Sequence, residues 1–450
     1  MSICIPHFIT LAPEARDIAS CVSVATLVIL AIVALNKPAS INEGFLTPVA
    51  LTTYSFGFIL ILIGLWQESL VALIAGVCFR SIGSRWIVVL AGISLCLLER
   101  RACMLCIASA FGLSYLLRIP FSFISYDVAI ILLVSLIFVM YAACRPLALQ
   151  VLSHMQTTTS AREASITEPA SYLPFAHALF IAIFVFRIAY GFALSFESVD
   201  GTPQTTMLGI IPLGLLVVLA LRKHQQRADI LYEVAALLIV AGFLSIIVLY
   251  GRVDAFYSSI VNGCLFAGSE CFEVLMWFAL ASIGARNMTN ALAVLAWGRA
   301  ASSFGLLCGA TLGHWSNALP ESLGTVALVS GVLFVFVAAN LTVLKEFSFQ
   351  GTIDGVQPVA DALEAPPVDM VSSRALTAGC DEVAEVFRLT PREREILGML
   401  AHGRNAPYIQ DKLVLSRNTV KTHIQNIYAK LGVHSQQELI DVVEGFDKSH

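Results

Sequence analysis

Residues Leu389–Glu444 read LTPREREILGMLAHGRNAPYIQDKLVLSRNTVKTHIQNIYAKLGVHSQQELIDVVE, a long polar, helix-patterned stretch in a chain whose first 345 residues are mostly apolar. Thr390-Pro391-Arg392-Glu393 is a strong helix start, with a threonine cap, proline at the first helical position and glutamate three residues past the cap. That helix is expected to run to about Ala401, bury Ile396, Leu397 and Leu400, and stop at Gly403. A second, from about Ala406 to Leu413, is capped by Asn405 and turns Ile409 and Leu413 inward. Val414-Leu415 make a turn, and Ser416 caps a third helix from Arg417 to about Leu431. Its apolar residues Val420, Ile424, Ile427, Tyr428 and Leu431 fall on one face. A fourth, from about Ser435 to Glu444, offers Leu439, Ile440 and Val443.

Two helices joined by so short a turn have helix-turn-helix geometry. The charge suits a polyanion: from Lys412 to Gln437 there are four bases (Lys412, Arg417, Lys421, Lys430) and no acid. An ordinary solvated helix would mix both signs. The exposed face of the third helix carries Arg417, Asn418, Lys421, Thr422 and Gln425, groups able to reach phosphates or base edges.

Residues 346–388, just upstream, change composition sharply. They hold eight acids against two bases (Arg374 and Arg388), with Pro358, Pro366 and Pro367 and glycines 351 and 355 in the first half. Such a segment is expected to be a flexible acidic tether. An acidic tether could also fold back on a basic reading face, although a plain spacer is the simpler expectation.

Upstream again, the chain belongs in a bilayer. Hydrophobic residues make up 58% of the sequence and charged residues only 13%, against roughly 25% charge in an ordinary soluble domain. Runs long enough to span lie near 18–35, 46–66, 68–80, 83–98, 102–118 and 122–143. Six more lie near 174–196, 205–221, 230–250, 256–283, 288–313 and 322–344, after a polar loop containing QTTTSAREASITEPAS. The first run, behind Arg16 and Asp17, lacks a small-residue cleavage site and is read as a span rather than a signal peptide. The expected fold is therefore all-α: about twelve spans, six plus six, over residues 1–345, a linker over 346–388, and a soluble four-helix domain over 389–450. Counting loop bases with the N-terminus inside gives ten inner and five outer, which favours the inner (cytoplasmic) membrane with both termini in the cytoplasm.

Four charged side chains fall inside expected spans: Arg187, Glu270, Glu273 and Arg299. Glu270, Glu273 and Trp277 share one helix face. Intramembrane charges are costly and mark sites by default. They lock helices as an ion pair, line a small-molecule pocket near the midplane, or relay protons. The stripe Gly305, Gly309, Gly313 is helix packing. The eleven cysteines are scattered, and the Cys103–Cys106 spacing has no companion pair, so neither a disulfide framework nor a metal site is expected. No nucleotide loop or catalytic triad is evident, so no enzyme and no cofactor are expected.

The LTPREREIL start, Gly403, the S-x-x-TVKTH run and IYAKLGVHSQQEL together resemble the LuxR-type helix-turn-helix. The resemblance implies a four-helix domain that binds double-stranded DNA as a homodimer, with the third helix in the major groove and the fourth supplying the dimer contact. It implies that Lys421, Thr422 and Gln425 face bases, and that Arg417, Asn418, Thr419 and Lys430 sit near phosphates. Gln410, Tyr408 and Val414 depart from the family's usual alanine, acid and glycine, and imply a variant packing of the second helix. The six-plus-six architecture resembles the major facilitator superfamily, without a charged Gly-x-x-x-Asp-type signature in the second-to-third loop. A soluble phosphoacceptor or autoinducer domain does not fit in residues so apolar. The expectation is a membrane-bound regulator sensing a small molecule, with RNA polymerase a further partner. The alternative is a transporter with a regulatory DNA-binding tail.

Overall fold

A computed structural model describes residues 15–121, 126–157, 173–195, 214, 228–248, 255–317, 325–356 and 379–447. Among them every long element is an α-helix and none is a strand. The apolar part comprises α1 (Ala15–Asn36), α2 (Glu43–Trp66), α3 (Leu70–Leu95), α4 (Arg100–Phe121) and α5 (Tyr126–Thr157) in the first half. The second half comprises α6 (Ala178–Ser195), α7 (Ala228–Val248), α8 (Ala255–Arg286), α9 (Met288–Asn317) and α10 (Thr325–Thr342). Among the described residues, eight stretches within these helices are long and apolar enough to cross a membrane by length and composition. Their outward faces carry large apolar side chains, such as Ile29, Phe45, Val71, Ile131, Leu237 and Phe334, as lipid contact requires.

One correction changes the arrangement. The expected third and fourth spans, 68–80 and 83–98, are a single helix, α3, of 26 residues. At 1.5 Å per residue that is roughly 39 Å, one crossing rather than two. The small and polar run RSIGSR looked like a break, but its glycine serves close packing. A Cβ on Gly83 would lie 2.3 Å from the Ala50 carbonyl oxygen, and one on Gly76 would lie 2.7 Å from that of Gly57. α2 and α3 therefore touch backbone to backbone, the role small residues play between spans. The first half has five described helices instead of six, and the expected span at 205–221 lies outside the described residues apart from Gly214.

The glycine stripe of α9 behaves as expected. Gly305, Gly309 and Gly313 all face α6, and Gly309 would place a Cβ 2.1 Å from the Ile188 carbonyl oxygen. Aromatic stacking of Phe186 on Phe272, centroids 3.8 Å apart, fills the core between α6 and α8. Cys103 is buried on α4 and Cys106 is exposed, both as free thiols.

Contacts sort the helix ends into two faces. On one, Glu43 at the start of α2 pairs with Arg145 of α5 at 3.2 Å. Arg100 at the start of α4 and Arg286 at the end of α8 meet at Asp354 there, at 3.0 and 3.2 Å. Asp229 at the start of α7 accepts from Ser348 and from the Phe349 amide at 2.8 and 2.6 Å. On the other, Asp17 of α1 meets His314 of α9 at 3.1 Å, and Asn317 donates to the Ser195 carbonyl at 2.7 Å. The face holding Asp354 carries Lys37, Arg100, Arg101, Arg145, Arg286 and Lys345. Residue 15 and residue 345 therefore lie on opposite faces, whereas twelve crossings would place them on one. The physical reason is the single crossing at 70–95.

The segment expected to be a tether is helical near both ends. Phe349–Gly355 form α11, capped by Ser348 on the Gly351 amide, with Phe349 and Ile353 buried against the bundle. Asp354 is held below the ordinary carboxylate range by a hydrogen bond from Gln350 and by Arg100 and Arg286. At the other end, a helical segment at 379–386 (α12) buries Cys380, Val383 and Ala384 in the core of the C-terminal domain. Its acids Asp381 and Glu385 sit against Arg394, at 3.3 and 3.5 Å, rather than on a basic reading face.

Candidate nucleic-acid interface and a buried charge cluster

The C-terminal domain has its own closed core, and its local structure follows from caps. α13 (Pro391–Ala401) starts in a complete capping box: Thr390 accepts from the Glu393 amide, and the Glu393 carboxylate accepts from the Thr390 amide. α14 (Ala406–Leu413) starts at Asn405, which accepts from the Tyr408 amide at 3.1 Å. α15 (Arg417–Leu431) starts at Ser416 and ends at Gly432, whose φ of +70° places it in the left-handed region that glycine favours. α16 (Gln436–Asp447) is fastened by Gln436, which donates to the Leu400 carbonyl at 2.8 Å.

Leu413 and Ser416 flank a turn whose first residue, Val414, has φ +53° and is 90% exposed. A β-branched residue there is strained, which gives a physical meaning to its departure from glycine. Tyr408 takes the Arg404 guanidinium over its ring at 4.9 Å, a contact an acid at that position could not make.

α15 buries Val420, Ile424, Ile427, Tyr428 and Leu431. Its opposite face exposes Asn418, Lys421, Thr422 and Gln425, with Arg417 half-buried at the N-terminal end. Thr422 donates to the Asn418 carbonyl at 3.0 Å, which holds its methyl and hydroxyl in place. Thr419 is bound to the Ser416 hydroxyl at 2.7 Å, so it belongs to the cap as well as to the exposed edge. The face meets solvent with an ammonium, amides and a hydroxyl, and no carboxylate lies on it.

Lys430 is the exception among the expected DNA contacts. Its ammonium donates to Glu393 at 2.6 Å and to the Arg388 carbonyl at 3.4 Å. Nine residues past Lys421, it lies half a turn round α15, facing α13. Burial alone would raise the Glu393 carboxyl, but hydrogen bonds from Lys430 and Thr390 and the Lys430 charge hold it below its ordinary value. Lys430 is thus placed as a structural cation.

In the bundle, four of the five expected ligand residues converge. Glu273 is bridged by Arg187 at 3.2 Å and Arg299 at 2.7 Å. Arg187 also donates to Ser269 at 3.1 Å and lies over the Tyr190 ring at 5.2 Å. Arg299 lies over Trp277 at 4.8 Å. Glu270 is one turn back along α8, within electrostatic reach of Tyr190. The α3 backbone closes the site: a Cβ on Gly92 would lie 2.9 Å from the Trp277 ring.

Two members were missed by sequence reasoning. Arg85 of α3 reaches Glu273 and Arg299 electrostatically, and Arg80 lies near it and near Tyr54. Both flank the break expected between 68–80 and 83–98; reading 70–95 as one helix puts them in the bundle. Among the described residues no group of His, Cys, Asp and Glu is arranged to hold a metal ion.

Comparison with known proteins places these features in context. Residues 388–443 match the family model described as bacterial regulatory proteins, luxR family. The chain is 48% identical over 59 residues to the Fimbriae Z protein of Escherichia coli K12, covering 13% of this chain and 28% of that protein. It is 40% identical over 62 residues to the HTH-type transcriptional regulator MalT of Serratia proteamaculans, covering 13% and 7%. The same figures hold for MalT of Yersinia pestis. The chain thus spans well under a third of the length of these relatives, all of it within the C-terminal domain.

Proposed function

Because residues 388–443 form a helix-turn-helix domain of the luxR family, we propose that the chain is a membrane-bound transcriptional regulator that reads promoter DNA with α15. The observation that carries this is the exposed, acid-free face of α15. Lys421, Thr422 and Gln425 are aimed to meet base edges, and Arg417, Asn418 and Thr419 stand where the groove's phosphate walls would be. The domain acts as a homodimer on two half-sites, with α16 supplying the contact between copies, and RNA polymerase is its eventual partner. The relatives' printed names, a transcriptional regulator among them, support the same reading.

The bundle sits in the inner membrane. The basic face lies in the cytoplasm, in keeping with the bias of lysine and arginine toward that side. That orientation puts Lys345, α11 and the DNA-reading domain in the cytoplasm, and residue 15 on the far side. The bundle then senses a small molecule at the cluster of Arg187, Glu270, Glu273, Trp277 and Arg299. Two bundle conformations of different ligand affinity would alter how the DNA-reading domain is presented. The same buried cluster favours a second reading, a transporter with a regulatory tail, which requires substrate flux in proteoliposomes that depends on Glu273 and Arg299.

The test of the DNA claim is a gel shift with residues 373–450, which contain the whole closed core. Sequence-preferring binding that weakens steeply with salt is expected. No such binding, even by an artificially dimerised fragment, would sink the claim. Cysteine labelling of intact cells at residue 66, exposed at the end of α2 on the face opposite Asp354, and at residue 345 tests the orientation: reagent that cannot cross the membrane should reach the first and not the second.

A further inference from the structure

The buried cluster does not balance. Arg80, Arg85, Arg187 and Arg299 bring four positive charges to it, and Glu270 and Glu273 bring two negative ones. Glu273 is already shared between Arg187 and Arg299. Among the described residues, no carboxylate lies within ion-pair distance of Arg80 or Arg85. A guanidinium carries five N–H donors and no acceptor. The Nε atoms of Arg80, Arg85, Arg187 and Arg299 are all shut off from solvent without an acceptor.

A charge withdrawn from water and left unpaired is among the most costly arrangements a protein can hold. Structural ion pairs avoid it by matching signs, and this cluster does not. The surplus is also placed asymmetrically. The carboxylates and two arginines come from α6, α8 and α9, whereas Arg80 and Arg85 come from α3 in the other half of the bundle. A ligand between the halves would meet Arg85 on one side and the Arg187–Glu273–Arg299 group on the other.

We infer that the cluster is a binding site for a small organic anion, one carrying a carboxylate or a phosphate, with Arg85 as its principal cation. Guanidinium groups suit both oxyanions through paired N–H donors. This deepens the sensory function proposed for the bundle and rests on it. Binding across the two halves would draw α3 toward α8 and α9, so occupancy and bundle conformation are linked.

The test uses the full-length protein in detergent micelles, with thermal unfolding followed at matched chloride ionic strength. The probes are acetate, succinate, benzoate and inorganic phosphate, with methylammonium and glucose as cationic and neutral controls. At least one anion should raise the midpoint saturably, as ligand linkage requires. Arg85→Gln should raise the concentration needed at least tenfold, and Arg85→Lys should recover part of the response. Without any probe, Arg85→Gln should unfold at the same or a higher temperature, because it removes a half-buried charge with no carboxylate partner among the described residues.

A large drop in the midpoint of Arg85→Gln without probe, with an unchanged anion response, would make Arg85 a structural residue and overturn the inference. A response confined to methylammonium or glucose would overturn the anion assignment and leave sensing standing. No response to any probe would overturn both.

Discussion

Glu393 and Lys430 decide whether the last basic residue of α15 serves DNA or the fold. The Glu393 side chain is 5% exposed and Lys430 is 35% exposed, with 2.6 Å between ammonium and carboxylate. Glu393→Gln keeps an acceptor for the Thr390 amide but replaces a charge-assisted bond with a neutral one. With one partner partly in water, the cost is about 1–2 kcal/mol. In a domain of this size that lowers the melting midpoint by roughly 5–15 °C. Lys430→Met leaves a buried carboxylate without its cation and costs about 1–3 kcal/mol. The two changes share one interaction, so the double variant should fall short of their sum by about 1 kcal/mol.

The pair also carries a pH signature. The folded pKa of Glu393 lies below its ordinary value of 4.5. Its contribution to stability is therefore complete above that value and is lost as the pH falls through the lower folded pKa. Glu393→Gln should flatten this acid limb. The assay is urea unfolding of residues 373–450 across pH 3 to 7, alongside DNA titration of the same variants. Strict additivity, with Lys430→Met weakening DNA binding at unchanged stability, would refute the structural assignment.

Three other outcomes are expected. Lys421→Ala should weaken DNA binding by about 1–3 kcal/mol while leaving the fragment's urea midpoint unchanged; equal binding by gel shift would remove Lys421 from the interface. Val414→Gly should stabilise the fragment by about 0.5–1 kcal/mol, because relief of left-handed strain outweighs the added freedom of the unfolded chain; a lower midpoint would contradict the strain. In the bundle, Gly309→Ala should cost about 1–3 kcal/mol or more, since the new methyl meets the Ile188 carbonyl. Gly331→Ala, with nothing within 4 Å, should not lower the detergent melting midpoint.

The C-terminal domain was legible because its signals are local. Thr390, Asn405 and Ser416 each announce a helix start within three residues, and the apolar period of α15 is unbroken from Val420 to Leu431. α12 was not legible: Cys380, Val383 and Ala384 sit among acids that suggest a tether, and only tertiary burial reveals them as core. Lys430 lies half a turn from Lys421, against Glu393, an azimuth that weighing charge alone does not reveal. In the bundle, the break expected between residues 80 and 83 is continuous helix, with Gly83 in close contact with Ala50. That break split α3 and left Arg80 and Arg85, beside it, out of the expected site. Glu273, Arg187 and Arg299 were found because charge in an apolar run is conspicuous, but their mutual distances depend on the packing of three helices.

The docking of α11 bounds how far the C-terminal domain can lie from the bundle. Held to Arg100 and Arg286 through Asp354, the chain is anchored until residue 356, and the C-terminal core takes it up again at residue 379. Those 23 steps, at no more than about 3.6 Å each, can stretch to about 80 Å. On the membrane-bound function proposed above, an operator would be captured only where a chromosomal segment drifts within that radius, so gene position and membrane proximity would become part of the control. Two half-sites sit only about 34–36 Å apart along DNA, well inside the combined reach of two such connections. On the same proposal, two reading heads would pair on an operator while their bundles stay apart in the lipid.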